Sequence, residues 1–133
     1  MYRWLIILPA LLLLSGCGNK QSGPQRVVVE GAATYQGKPI ERGDILFTPV
    51  VGSSNPASGA IIENGKFRAD NKGGVPVGKF SVKITGVRVT NPGQVGDIEE
   101  VMQYIPAKYN ERTTLEIEIP ADEPQMQHDF TLE

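Results

Sequence analysis

Lys79-Phe80-Ser81-Val82-Lys83-Ile84-Thr85 alternates apolar and polar residues without a break. A period of two is that of a β-strand with one face on a core and the other in water. Leu115, Ile117 and Ile119 repeat the pattern against Glu116 and Glu118, and Phe130 and Leu132 repeat it against Asp129, Thr131 and Glu133. Val27, Val29, Ala33 and Tyr35 share a face in a longer first strand, and Ile45 with Phe47 marks a second strand. Gly31, inside the first strand, signals a bulge or a close approach of another chain segment.

The punctuation between these runs agrees with all-β architecture. Asn64-Gly65 sits between two strand-like runs, Ile61-Ile62-Glu63 and Lys66-Phe67, and is the strongest short hairpin signal because both turn residues must adopt positive φ. Further turns are expected at residues 36–39, 52–56, 73–74 and 91–93, giving about seven short strands spaced as in a β-sandwich. The 15 Gly and 10 Pro among 133 residues favour many turns over long helices.

The N-terminal residues have a different character. Arg3 precedes an apolar run, Trp4 to Leu14, that is followed by Leu14-Ser15-Gly16-Cys17. A positive start, a short apolar stretch and a small-residue boundary are the parts of a secretory signal, and a run of this length falls short of the roughly 20 residues that span a bilayer. The boundary resembles the bacterial lipobox at every position. That resemblance implies a signal peptide over residues 1–16, lipid attachment at Cys17 and a mature chain that starts there. Residues 17–25 read as a lipidated polar tether and residues 26–133 as a single domain. The expected localisation is a bacterial envelope membrane, periplasm-facing or outer membrane, with the membrane as a partner through the lipid. The alternative is a hydrophobic leader carrying an inert, buried cysteine.

In order along the domain, residues 29–40 (VEGAATYQGKPI) and 43–49 (GDILFTP) resemble the opening of carboxypeptidase regulatory-like domains, while Asn64-Gly65-Lys66-Phe67 and residues 75–84 (VPVGKFSVKI) are similar to later strands of that family. With the lipobox and residues 105–110 (IPAKYN), the chain resembles the small transthyretin-like lipoproteins of planctomycete-type bacteria. The resemblance implies a prealbumin-like, seven-stranded Greek-key β-sandwich that is usually non-enzymatic. Residues 87–104 depart from a tight connection. Residues 97–104 are expected to form a short helical turn, with Ile98, Val101 and Met102 touching the sandwich, and the whole loop 87–104 is the first expectation for a partner surface.

Several chemistries are excluded or weighed down by composition. A formal charge of −2 without a basic block offers no footprint for nucleic acid. One Cys and one His leave no disulfide and no soft-ligand metal cluster, so no cofactor or metal is expected. The same histidine count rules out the transthyretin-like hydroxyisourate hydrolases, which use several histidines, and the intradiol dioxygenases, which use two Tyr and two His. His128 lies in the phase of Phe130 and Leu132 and reads as a packed residue. Asp97, Glu99 and Glu100 read as a solvated acidic loop, with a calcium site as the less favoured alternative. No catalytic residue is assigned.

The expected function is that of a non-catalytic, lipid-anchored envelope module, binding or structural. The alternative is a carbohydrate- or peptide-binding domain, with an envelope protein or glycan as partner, using residues 87–104 and exposed tyrosines. Tyr35, Tyr104 and Tyr109 are the candidate aromatic platform, with core-edge packing as the competing role, and Lys108, Asn110 and Arg112 are the candidate polar rim.

Overall fold

The computed structural model describes Gly18 and residues 23–133. Cys17, the expected lipidation site, the signal segment and part of the tether lie outside the described residues. The first strand opens at Arg26, where the alternation in the sequence begins.

Among the described residues the chain forms eleven β-elements and two single-turn 3-10 segments, with no α-helix. The strands are β1 (Arg26–Tyr35), β2 (Lys38–Pro39), β3 (Arg42–Pro49), β4 (Ser58–Glu63), β5 (Lys66–Ala69), β6 (Val75–Pro76), β7 (Gly78–Asn91), β8 (Glu100–Gln103), β9 (Glu116–Ile119), β10 (Gln125–Gln127) and β11 (Phe130–Leu132). They make one curled sheet in the order β10-β1-β5-β4-β3-β7-β8, with β2, β6 and β11 also on β1 and β9 on β7. All pairings are antiparallel except those of β1 with β10 and β11. No helix among the described residues is long and apolar enough to cross a membrane.

The predicted inward faces are the ones buried. Phe80, Val82 and Ile84 from β7, Ile45 and Phe47 from β3, Val27, Val29 and Ala33 from β1, Ile117 and Ile119 from β9, and Phe130 and Leu132 from β11 meet in one core. Burying a side chain such as Phe47 or Ile84 contributes about 1.5–3 kcal/mol, so the alternation of a few strands is enough to fix which way the sheet curls. The connections are set by backbone chemistry. Asn64 (φ 51°) and Gly65 (φ 75°) form the expected hairpin turn between β4 and β5, and Gln36 (φ 50°) and Gly37 (φ 74°) form another between β1 and β2.

Gly31 is a point of close approach, as its position in β1 suggested. A Cβ built there would sit 1.9 Å from the His128 carbonyl oxygen. The chain crosses β1 at this point, between β10 and β11. It is pinned by the His128 N–H donating to the Glu30 carbonyl (2.9 Å) and the Ala32 N–H donating to Asp129 Oδ1 (2.8 Å).

Residues 97–104 correct the sequence-based expectation of a helical turn. They enter β8, which pairs with the distal half of β7 in the register Val87↔Gln103, Arg88↔Met102 and Val89↔Val101. The product is a two-stranded arm extending past the core: β7 is exposed from Arg88 onward, and Ile98, Val101 and Met102 are exposed rather than packed on the body. The arm carries no one-sided burial, and so it leaves no amphipathic period in the sequence. Its connection turns at Gln94 to Asp97, where the Asp97 N–H donates to the Gln94 carbonyl (2.9 Å) and Asp97 Oδ2 accepts from the Gln94 N–H (3.2 Å).

Candidate binding cleft

The arm and the β1–β2 turn enclose a cleft at one end of the sheet. The two-residue turn at Gln36-Gly37 folds Lys38 directly opposite Tyr35, while the register of β7 on β8 and its continuation to Tyr104, whose N–H donates to the Gly86 carbonyl (3.0 Å), bring Arg88 beside Tyr104. Tyr35 and Tyr104 lie with ring centroids 6.0 Å apart and planes tilted by 51°. The Arg88 guanidinium carbon stands 4.0 Å from the Tyr104 ring centroid, a stacked arrangement that holds the cation by its face and leaves its N–H edges free to donate. The cleft has a volume of about 610 Å3 and is completed by Pro39, Glu41, Arg42, Val87 and Val89. Volumes of roughly 300–1,000 Å3 are usual for small-ligand sites.

Arg42 is held at the rim by Glu99 from the arm connection, with Nη1 to Oε2 at 2.8 Å. Lys38 and Arg88 have no ion-pair partner among the described residues. The hydroxyls of Tyr35 and Tyr104 make no hydrogen bond there. No buried side-chain polar atom in the described structure lacks a partner, so both hydroxyls are open to solvent. The site therefore offers two unpaired cations and two phenols, against one carboxylate on Glu41.

The residues proposed from sequence as one surface are divided by the fold. Tyr104 belongs to the cleft with Tyr35. Tyr109 is anchored elsewhere: its hydroxyl donates to the Glu133 carbonyl (2.7 Å) and accepts from the Glu133 N–H (2.9 Å), fastening the chain end to the 3-10 segment Ala107–Tyr109. Lys108 lies with Nζ 4.8 Å from the centroid of the Tyr109 ring. All three tyrosines also pack on the core edge. Arg112 is exposed and contributes its backbone N–H to the Ala107 carbonyl (2.8 Å).

Asn110 is a correction. It is buried rather than on a rim, and its Nδ2 lies 3.2, 3.1 and 3.1 Å from the carbonyls of Ile84, Ile105 and Pro106, while Oδ1 accepts from the Glu111 N–H at 2.9 Å. The Ile105 carbonyl also accepts from Gln103 Nε2 (2.8 Å) and that of Pro106 from the Tyr109 N–H (3.0 Å), so Asn110 matters most for the Ile84 carbonyl, since buried carbonyls require a donor. Lys38, Arg42 and Arg88 were missed by sequence reasoning. The signal that bears on them was the Gln36-Gly37 turn, which sets Lys38 against Tyr35; the meeting of Arg88 with Tyr104 depends on a strand that leaves no periodicity.

The larger hollow on the outer face of β1, β5 and β4, about 940 Å3, is flatter than the cleft, and its charged lining is Glu30, Glu63, Lys66, Arg68, Asp70 and Asp129, with the carboxylates in excess. Arg68 is engaged there by Glu30 and Asp70, and the hydrogen bond to Glu30, followed by that to Asp70, holds its pKa above the usual arginine value. His128 packs against Phe130 with ring centroids 4.7 Å apart and planes tilted by 59°. Glu99 is engaged by Arg42 and Asp97 by the Gln94 N–H, so the acidic residues of the arm are not gathered around a common point. Among the described residues, no three His, Cys, Asp or Glu side chains are grouped to hold a metal ion.

No protein-family model matches the sequence, and no curated protein matches it. A solved structure, that of a 9R-lipoxygenase from Cyanothece PCC8801, is 15% identical with a TM-score of 0.40, covering 81% of this chain and 16% of that one. The chain thus spans about a sixth of the lipoxygenase's length, and a likeness of this size carries no inference about activity.

Proposed function

We propose that this chain is a lipid-anchored, non-catalytic binding module of the bacterial envelope, tethered through Cys17 and presenting the cleft between Tyr35 and Tyr104 away from the membrane. The observation that carries the binding role is the convergence of Arg88, Lys38, Tyr35 and Tyr104, all with unused hydrogen-bonding capacity, on one open cleft. Lipid attachment rests on the lipobox-like residues 14–17 and on the short polar stretch separating Cys17 from the first strand at Arg26. Several acyl chains, at about 0.8 kcal/mol per buried methylene, hold such a chain at a bilayer without a spanning helix.

A prealbumin-like Greek-key sandwich is the proposed fold type. The strand order supports it: β3, β4 and β5 follow one another as antiparallel neighbours, β1 returns beside β5, and β7 returns beside β3. A neighbour returning beside the far strand of a three-strand meander is the Greek-key connection. The non-catalytic reading is supported by the packed position of the one histidine against Phe130.

Fractionation of the native host tests the anchor. Wild-type chain is expected in the membrane pellet and released by detergent but not by high salt, whereas Cys17→Ser accumulates unprocessed. A wild-type chain recovered in the soluble fraction contradicts the proposal.

A further inference from the structure

The donor surplus of the cleft defines the chemistry of its ligand. Arg and Lys side chains only donate hydrogen bonds, and a phenol both donates and accepts. Of the polar side chains described there, Lys38 and Arg88 are unpaired donors, Arg42 is partly engaged by Glu99, and Glu41 is the single carboxylate. A peptide laid in extended form offers backbone donors and acceptors in equal number and needs a strand edge to receive them. Here β3 covers β7 only as far as Gly43↔Gly86, so a short edge of β7 beyond it, opposite β8, is open to backbone pairing, but such pairing alone leaves the Lys38 and Arg88 cations without a counter-charge. A ligand rich in acceptor oxygens and carrying negative charge satisfies the site better.

The aromatic pair adds a second requirement. Tyr35 and Tyr104 are half-buried, with apolar area beside free hydroxyls, and Pro39, Val87 and Val89 extend the apolar lining. Rings of this kind suit a ligand with both apolar C–H faces and hydroxyl edges. A pyranose has both, and a uronic acid or a sulfated sugar adds the anion. From the unpaired Arg88 and Lys38 flanking the Tyr35–Tyr104 pair, we propose that the cleft binds an anionic oligosaccharide, with Arg88 taking a carboxylate or sulfate in bidentate fashion and Lys38 supplying the second positive contact. This assignment rests on the binding-module reading and specifies its ligand. Stacking on Tyr104 holds Arg88 ready for planar recognition, so that less side-chain freedom is lost on binding.

The test uses the full lipidated chain in mild detergent, titrated calorimetrically with a hexameric oligouronate, a sulfated oligosaccharide of equal length, a neutral glucan hexamer and polyglutamate. Binding of either anionic sugar, weakened roughly tenfold or more by Arg88→Gln and by Lys38→Gln and weakened by added salt, supports the proposal, since loss of a charge-assisted bond has that effect. The uronate and sulfate arms identify the anion. Tyr35→Phe and Tyr104→Phe, which retain the packed rings, are expected to weaken binding several-fold, and Arg112→Gln to leave it unchanged. Equal binding of the neutral glucan overturns the proposal, as does preference for polyglutamate, which leaves a binding module with a different ligand. Absence of binding by all four probes also overturns it, while membrane retention of the same preparation reports separately on the anchor.

Discussion

Replacing Asn110 by alanine removes a donor shared by three carbonyls and the acceptor that serves the Glu111 N–H; Ile105 keeps the Gln103 Nε2 donor (2.8 Å) and Pro106 the Tyr109 N–H (3.0 Å), so the loss falls mainly on the Ile84 carbonyl and the Glu111 N–H. The side-chain amide has two hydrogens, so at most two of the three acceptors are satisfied strongly at once. Each net hydrogen bond is worth about 1 kcal/mol, and a buried group left without a partner costs about 1–3 kcal/mol. With Asn110 only 6% exposed, the expected loss is about 1–3 kcal/mol. For a domain near 100 residues this corresponds to a fall in Tm of roughly 5–20 °C. Asn110→Asp is expected to be worse than alanine at neutral pH, because a carboxylate replaces a donor facing carbonyl oxygens, and to recover partly in acid as it protonates. Thermal and urea unfolding followed by circular dichroism, with wild type and Arg112→Ala alongside, measures these effects. A Tm within 3 °C of wild type for Asn110→Ala would refute the reasoning that this side chain serves the Ile84 carbonyl and the Glu111 N–H, and so would an Asn110→Asp variant as stable as wild type.

Gly31→Ala is expected to destabilise by more than 3 kcal/mol (about the cost of severe overpacking), because its Cβ would meet the His128 carbonyl oxygen at 1.9 Å; an unchanged urea midpoint would contradict the crossing described there. Gly37→Ala and Gly65→Ala both place alanine at positive φ, which costs about 1–2 kcal/mol, but only at Gly65 does the new methyl meet a neighbour, Pro39 Cβ at 2.5 Å. The second variant is therefore expected to be the less stable in the same unfolding assay. Breaking the exposed Lys79–Glu116 pair (3.1 Å) with Lys79→Ala is expected to change stability by less than about 1 kcal/mol, as surface pairs do. A larger loss in urea unfolding would show that the pair is better shielded than its exposure indicates.

The parts of this structure legible in the sequence are those in which one face of a strand meets the core. Phe80, Val82 and Ile84 announce their direction because burial selects every second residue, and Asn64-Gly65 announces its turn because few residue pairs accept positive φ twice in succession. Gly31 was legible as a position of close approach, although not what approaches it. The β7–β8 arm was not legible, since Val89, Val101 and Met102 are exposed on a strand pair with no core beneath it. Asn110 was misplaced because polarity suggested the surface, whereas the need lay in the Ile84 carbonyl, brought to it from β7 by tertiary structure. Lys38 and Arg88, fifty positions apart in sequence, meet around the Tyr35–Tyr104 cleft only through a turn and a strand register.

The central claim, a β-domain held to an envelope membrane by lipid on Cys17, is tested most directly by intact-mass measurement of the chain purified from native membranes. The account predicts a mature chain beginning at Cys17 and heavier than its residues by a lipid-sized increment, with that species lost in Cys17→Ser. A wild-type chain that retains residues 1–16 and carries no added mass would contradict it.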